Sequence, residues 1–111
     1  MDTRTLETME RSWPIAQAGP EPLMSLREQI DRVDNYLVTA LAARFRLAEE
    51  VGTVKRKTGM LPLDPRREAE IVRKACEVAR AEEIPEEGVR QIIWGVIDYC
   101  REGVIRSHAC E

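Results

Sequence analysis

Aromatic side chains are scarce in this chain of 111 residues: they make up 5% of it, while charged side chains make up 33%. Because sheets are enriched in aromatic and β-branched residues, this composition favours helices over a sandwich or a barrel. No apolar run approaches the roughly 20 residues of a membrane-spanning helix. The N-terminus, with Asp2, Arg4 and Glu7, lacks the apolar segment of a secretory signal peptide. The sequence therefore predicts one all-α domain in the cytoplasm, without a membrane partner.

Several kinds of chemistry lack the residues that they need. The one histidine, His108, is expected in a fraying helix end, which argues against a histidine-activated nucleophile or a histidine metal site. Three cysteines without CxxC spacing indicate a reducing compartment, and we expect Cys76 and Cys100 to be small core residues. No glycine-rich phosphate loop is present. A net charge of −3 argues against nucleic-acid binding, since no surplus of cations is available to displace counterions from phosphates.

One long helical pattern dominates the sequence. From Ser25 to Lys57, apolar residues recur at spacings of three and four without an intervening proline, which is the period of an amphipathic helix. Ser25 and Glu28 have the spacing of a capping box, which would start this helix or its first firm turn. At 1.5 Å per residue the helix would be roughly 50 Å long, more than the rest of one chain can cover. A second copy of the chain is the expected partner.

Two shorter helices are predicted after it. Gly59 suits the residue just beyond the long helix, and Asp64–Pro65 has the residue types of an N-cap and first helical position. The second helix is expected to end at about Ala81, and the third to run from residues 85–87 to about His108. Their apolar sides consist of Ile71, Val72, Ala75 and Val78 or Ala79 in the second helix, and Val89, Ile92, Ile93, Val96, Ile97, Cys100, Val104 and Ile105 in the third.

The predicted architecture is a three-helix protomer, long, short and medium, over residues 23–108. Residues 1–22 contain three prolines and one glycine and are expected to form a flexible N-terminal extension. Residues 109–111 are expected to be a short tail.

Some cationic side chains occupy positions that a helical bundle does not require. Arg44 interrupts the apolar stripe of the long helix, and Lys55 follows eleven residues later, which returns it to nearly the same face. Arg27 flanks the stripe near the helix start; taken alone, it is adequately explained as a surface arginine paired with acids. A charge on a core-facing stripe normally needs a partner, and a bound anion is one candidate for Arg44 and Lys55.

Four spaced motifs together resemble the all-helical chorismate mutase family over about residues 23–108. They are LREQIDxxD from Leu26, LAAR from Leu41, AEEVGxxK from Ala48 and DPxRE from Asp64. The resemblance implies an intertwined homodimer with two equivalent sites that converts chorismate to prephenate in the shikimate pathway of aromatic amino-acid biosynthesis. It also implies that no metal or cofactor takes part, because the reaction is a pericyclic Claisen rearrangement within one dianionic molecule.

The resemblance assigns the substrate's two carboxylates to arginines, whose planar fork can engage a carboxylate bidentately. Arg44 would hold one carboxylate within its own site, and Arg27 would reach the other in the site of the partner subunit. Lys55, a compact point charge, would contact the ether oxygen and a carboxylate.

The second helix is assigned to the substrate's hydroxyl group by the same resemblance. Asp64 and Glu68 would lie near this hydroxyl, with Glu68 accepting its hydrogen bond, and Arg67 would help to orient the region. The resemblance thus gives Arg44, Lys55 and Glu68 the catalytic roles.

The third helix departs from the family pattern. An ungapped alignment places Cys100 where the family often has a small polar residue, and Val104 where it has Gln or Glu donating to the ether oxygen. Because valine cannot donate, either Lys55 acts alone there, or the alignment slips and Arg101 or Glu102 reaches the site. A third possibility is a specialised relative.

Other functions stay open at this stage. Relatives within the family act on isochorismate as pyruvate lyases or rearrange 4-amino-4-deoxychorismate, and the arginine clamp does not distinguish these substrates. The intact DPxRE motif favours chorismate itself. From another class, a non-enzymatic helical dimer that binds a partner is suggested by Val104 and by the N-terminal extension.

Overall fold

The computed structural model describes residues 22–110, which form three α-helices. Helix α1 spans Pro22–Lys57, α2 spans Pro65–Ala81 and α3 spans Glu86–Ala109. The described residues contain no strand, so the predicted all-α fold with a long, a short and a medium helix is confirmed. The extension predicted for residues 1–22 lies outside the described residues except for Pro22, which is the first residue of α1.

The start of α1 differs from the prediction. The helix begins three residues before Ser25, at Pro22. Proline is tolerated there because N–H groups in the first turn of a helix have no acceptor within the helix, so its missing N–H breaks no hydrogen bond. Ser25 therefore lies inside the helix, and its carbonyl oxygen accepts a hydrogen bond from Gln29 Nε2 at 3.4 Å. The proposed capping box of Ser25 and Glu28 does not begin the helix.

The end of α1 has the predicted glycine cap. Gly59 has a φ of 73°, the left-handed conformation that glycine adopts without steric cost. The N–H of Met60 donates to the carbonyl oxygen of Lys55 at 2.8 Å, and the N–H of Gly59 donates to the carbonyl oxygen of Arg56 at 3.3 Å. These are the two hydrogen bonds of a Schellman motif, and they direct the chain into the loop of residues 58–64.

Both ends of α2 are capped through local hydrogen bonds. The Asp64 side chain accepts from the N–H of Arg67 at 3.1 Å, with Pro65 in the first position, as predicted. At the other end, the N–H of Ile84 donates to the carbonyl of Ala79 at 3.0 Å, which repeats the Schellman pattern. Glu83 occupies the position of the usual glycine, with a φ of 57°.

Residues 41–110 form one compact unit in which α2 packs against α3. Its buried apolar residues are Val72, Cys76, Ala79, Ile97 and Cys100, with Ile71 and Ile93 packed against them. The prediction that Cys76 and Cys100 are core residues is confirmed. Of the two alternatives at the end of the second helix, Ala79 is buried and Val78 is 40% exposed. Ile92 and Ile105, on the predicted apolar side of the third helix, are exposed to 67% and 47%, because α2 covers only part of that side.

The end of α3 also differs from expectation. His108 lies within the helix, which continues to Ala109, rather than in a frayed end. Its Nε2 atom is 2.9 Å from the carbonyl oxygen of Met60, so the ring is tied to the loop that follows α1.

Residues 22–40, the described part of the other unit, form the first part of α1. The apolar stripe of this segment is largely exposed, since Leu26, Ile30 and Leu37 are accessible to 49%, 57% and 62%. Amphipathic helices of folded proteins normally bury such a stripe.

Candidate active site

Two glycines allow the second half of α1 and the end of α3 to approach closely. A Cβ atom on Gly52 would collide with the carbonyl oxygen of Val104, and one on Gly103 would lie 3.2 Å from Glu49 Cγ. Next to this crossing, the rings of Phe45 and Tyr99 pack with centroids 5.2 Å apart. The crossing sets the distance between the charged residues of α1 and the polar residues of α3.

A cavity of about 340 Å³ opens beside the crossing, and its lining comes from all three helices and the loop before α2. Seven of the eight residues predicted to bind substrate line it: Arg44, Lys55, Asp64, Arg67, Glu68, Cys100 and Val104. Most of the remaining lining is apolar, from residues such as Leu47, Val51 and Ile97. Their functional roles stay predictions, but these residues do meet at one place.

Two residues considered from the sequence lie elsewhere. Arg27 belongs to the segment of residues 22–40, where its side chain is exposed, and it does not line the cavity. Its role in a partner's site stays a prediction. Glu102, one of the alternatives at the third helix, pairs with Arg106 at 2.9 Å on the exposed side of α3 and does not line the cavity.

Lys55 connects α1 to the loop that leads into α2. Its Nζ atom donates to the carbonyl oxygen of Pro62 at 2.9 Å. Two residues on, Asp64 is held as the cap of α2. An ammonium group has three N–H donors, so Lys55 can hold this loop and still donate to an anion in the cavity.

Glu68 forms an ion pair with Arg101. From the sequence, Arg101 was considered only as a residue that could reach the site in place of Val104. Arg101 Nε donates to Glu68 Oε2 at 2.8 Å and Arg101 Nη2 donates to Oε1 at 2.6 Å, a bidentate pair between α3 and α2. The Glu68 side chain is 13% exposed and that of Arg101 is 35% exposed. A helical-spacing argument could have found this residue, because Arg101 follows Ile97 by four and precedes Val104 by three.

This pair favours the ionised form of Glu68. The hydrogen bonds from Arg101 lower the pKa of Glu68, against burial and the nearby Asp64 carboxylate, which raise it, and Lys55 lowers it further. The same pair raises the pKa of Arg101. Glu68 is therefore a carboxylate at neutral pH, able only to accept hydrogen bonds.

The charge of the lining favours an anionic ligand. Four cationic side chains, Arg44, Lys55, Arg67 and Arg101, face two carboxylates, Asp64 and Glu68. One of these carboxylates, that of Glu68, already accepts a hydrogen bond from Arg101 on each of its oxygens. A small molecule with two carboxylates, a hydroxyl group and an apolar ring would match this mixture of cations, acceptors and aliphatic side chains.

Neither a metal cluster nor a membrane helix is found in the described part of the chain. Within residues 22–110, no three His, Cys, Asp or Glu side chains gather as metal ligands would. In the same range, no helix has the length and apolarity needed to cross a bilayer.

Comparison with known proteins places these features in a family. The family model described as chorismate mutase type II matches residues 26–103. The T-protein of Enterobacter agglomerans is 37% identical over 71 residues, covering 64% of this chain and 19% of that protein. The chorismate mutase of Methanocaldococcus jannaschii is 35% identical over 66 residues, covering 57% of this chain and 67% of the relative.

A third relative carries a second activity in its name. The bifunctional chorismate mutase/prephenate dehydratase of Aquifex aeolicus is 31% identical over 83 residues, covering 72% of this chain and 23% of that protein. The chain thus spans only about a fifth of the length of two of these relatives. No solved structure matches the chain at a significant level.

Proposed function

The chain belongs to the chorismate mutase type II family, and we propose that it catalyses the rearrangement of chorismate to prephenate in aromatic amino-acid biosynthesis. The observation that carries the proposal is the cavity itself, which brings together five residues of the family pattern, Arg44, Lys55, Asp64, Arg67 and Glu68. Cys100 and Val104, where the third helix departs from that pattern, line the same space. In this reaction a carbon–oxygen bond breaks and a carbon–carbon bond forms within one molecule. The protein's contribution is to hold a compact conformer and stabilise the charge that develops on the ether oxygen.

Arg44 and Lys55 supply the main electrostatic contacts in this mechanism. Arg44 binds one carboxylate through its guanidinium group, which suits a planar two-oxygen partner. Lys55 contacts the ether oxygen, where negative charge grows as the carbon–oxygen bond breaks, and so binds the transition state more strongly than the substrate. Its hydrogen bond to Pro62 places the ammonium group before substrate arrives.

The hydroxyl group of the substrate is assigned to the start of α2. Glu68 is a carboxylate and accepts the hydroxyl hydrogen bond, with Asp64 beside it. Arg67, whose N–H is held by Asp64, helps to orient this end of the site. Cys100 and Val104 form part of the wall contributed by α3.

We further propose that the active form is an intertwined homodimer. The exposed apolar stripe of residues 22–40 supports this assembly, since pairing with a second copy would bury it. In such a dimer Arg27 of one protomer would bind the second carboxylate in the partner's site. A cytoplasmic location is supported by three free thiols, which suit a reducing compartment.

The decisive experiment follows the loss of chorismate absorbance on addition of purified protein, with the products identified by chromatography. Prephenate formation above the spontaneous rate, abolished in a parallel preparation of Arg44→Ala, is the expected result. The same assay with isochorismate and 4-amino-4-deoxychorismate tests the related substrates. Turnover of one of these alone would reassign the substrate, and inert behaviour with all three would contradict an enzymatic role.

A further inference from the structure

The bidentate pair of Arg101 and Glu68 joins residues 33 positions apart in sequence. It lies in the cavity wall, and Arg101 Nη1 also lies 3.6 Å from the Asp98 carboxylate on the same helix. The guanidinium group is thus held from two sides. The family motifs give Arg101 no role, and the sequence suggested it only as an alternative to Val104 at the ether oxygen.

We propose that Arg101 is a positioning residue that holds the Glu68 carboxylate in one orientation, as the acceptor for the substrate's hydroxyl group. This inference rests on the proposed function. A carboxylate has about four lone-pair sites on its two oxygens. The two donors of Arg101 occupy one site on each oxygen and fix the plane of the group, which leaves a further site on each oxygen for the ligand.

The surroundings of Glu68 explain why such a residue is needed. The loop before α2 brings Asp64, a like charge, towards Glu68, and burial also disfavours the ionised form. Lys55 from α1 acts in the opposite direction, and Arg44 and Arg67 also line the cavity. Without Arg101, Glu68 would bind a proton more readily, present an O–H to the cavity and lose an acceptor site.

A purely structural role for the pair of Arg101 and Glu68 would give different experimental results. Partly buried ion pairs contribute little net stability, because desolvation of both charges offsets their attraction. The exposed pair of Arg106 and Glu102 lies on the same helix, with both side chains 63% exposed. It therefore serves as a matched control for removal of an arginine from α3 outside the cavity.

The test compares Arg101→Gln, Arg101→Lys and the control Arg106→Gln with the wild type, in kcat/KM against pH. For Arg101→Gln we expect the acid limb of the profile to move to higher pH. Since the carboxylate is both misplaced and partly protonated, the loss should be roughly 10- to 100-fold at about pH 5 and smaller at about pH 8. Arg101→Lys keeps the positive charge and should restore the acid limb, but its single point of contact should leave kcat below that of the wild type. Arg106→Gln should match the wild type throughout.

A second measurement separates this inference from the proposed function. Carbon NMR of the Glu68 carboxyl group, titrated without any substrate, should show Glu68 protonating at higher pH in Arg101→Gln than in the wild type. If the wild type lacks mutase activity, the proposed function fails while this titration still tests the effect of Arg101 on Glu68. An unchanged Glu68 titration, or an Arg101→Gln profile parallel to that of the wild type, would overturn the inference. If Arg101→Gln does not fold, Arg101→Lys decides, and wild-type turnover at every pH would exclude bidentate positioning.

Discussion

The backbone of Gly52 in α1 lies directly against the carbonyl group of Val104 in α3, so closely that a Cβ atom at Gly52 would overlap the carbonyl oxygen. Val104 also lines the cavity. Gly52 weakens α1 when that helix is considered alone, but it permits the close crossing of α1 and α3 beside the site. The cost of a flexible residue within a helix is offset by close packing between two helices.

Gly52→Ala should destabilise the protein. Either the two helices separate or the backbone of α3 shifts, and overpacking of this kind costs roughly 1–3 kcal/mol. Denaturant unfolding at equal protein concentration measures the change. Gly95→Ala is the matched control, since a Cβ there meets no described atom within 4 Å and alanine favours a helix interior by roughly 0.5–1 kcal/mol. Equal effects of the two substitutions would show that the crossing is not tight.

The two Schellman caps have different residues at the position with left-handed backbone conformation, so substitutions there should change stability in opposite directions. Gly59 has no steric cost at a φ of 73°, whereas Glu83 adopts a φ of 57° with a side chain attached. Glu83→Gly should therefore raise stability, and Gly59→Ala should lower it, each by about 1 kcal/mol. Thermal unfolding of both variants tests this. A loss of stability in Glu83→Gly would mean that the side chain supplies a contact worth more than the strain.

The helices could be predicted from the sequence because their signals are local. The apolar period defines α1, Gly59 marks its end, and Asp64 with Pro65 marks the start of α2. The same approach misplaced the start of α1 at Ser25, since a serine–glutamate spacing cannot show that a proline three residues earlier already belongs to the helix. It also could not tell which part of an apolar side is covered, and Ile92, on the apolar side of α3, is 67% exposed.

Only those site residues that a sequence motif, or an alignment extended from one, assigns could be predicted. The structure brings seven predicted residues to one cavity, although their roles are still to be tested. Arg101 was not predicted as a binding residue. Its spacing from Ile97 and Val104 could have placed it on the cavity side of α3, but no local spacing reports its pair with Glu68, 33 positions away. The packing role of Gly52 was missed for the same reason.

Arg44→Ala should lower turnover at least about 100-fold while the helical structure stays intact, because a positioned charge that contacts the reacting molecule is removed. Steady-state kinetics and circular dichroism measure the two effects. Arg46→Ala, an exposed arginine two residues on that does not line the cavity, is the control and should keep wild-type kinetics. Near-normal activity in Arg44→Ala would contradict the assignment of this cavity as the active site.

Dilution should not yield a stable, folded monomer. The apolar stripe of residues 22–40 would be left in water, and the stability of an obligate dimer depends on protomer concentration. Sedimentation velocity combined with circular dichroism over a dilution series tests this. The expected result is that dissociation and loss of helicity occur together. A monomer with full helicity would refute the intertwined dimer, and with it the proposed role of Arg27 in a partner's site.

Val104 provides the most direct test of how the ether oxygen is stabilised. If Lys55 is the one donor to this oxygen, Val104→Gln should add a second donor from the cavity wall and raise kcat, by up to about 100-fold if the amide is well placed. Val104→Leu adds bulk without a donor and should not raise kcat, which separates hydrogen bonding from a change of cavity shape. An unchanged rate in Val104→Gln would mean that another residue already supplies the second donor, or that the alignment placing Val104 beside this oxygen is wrong.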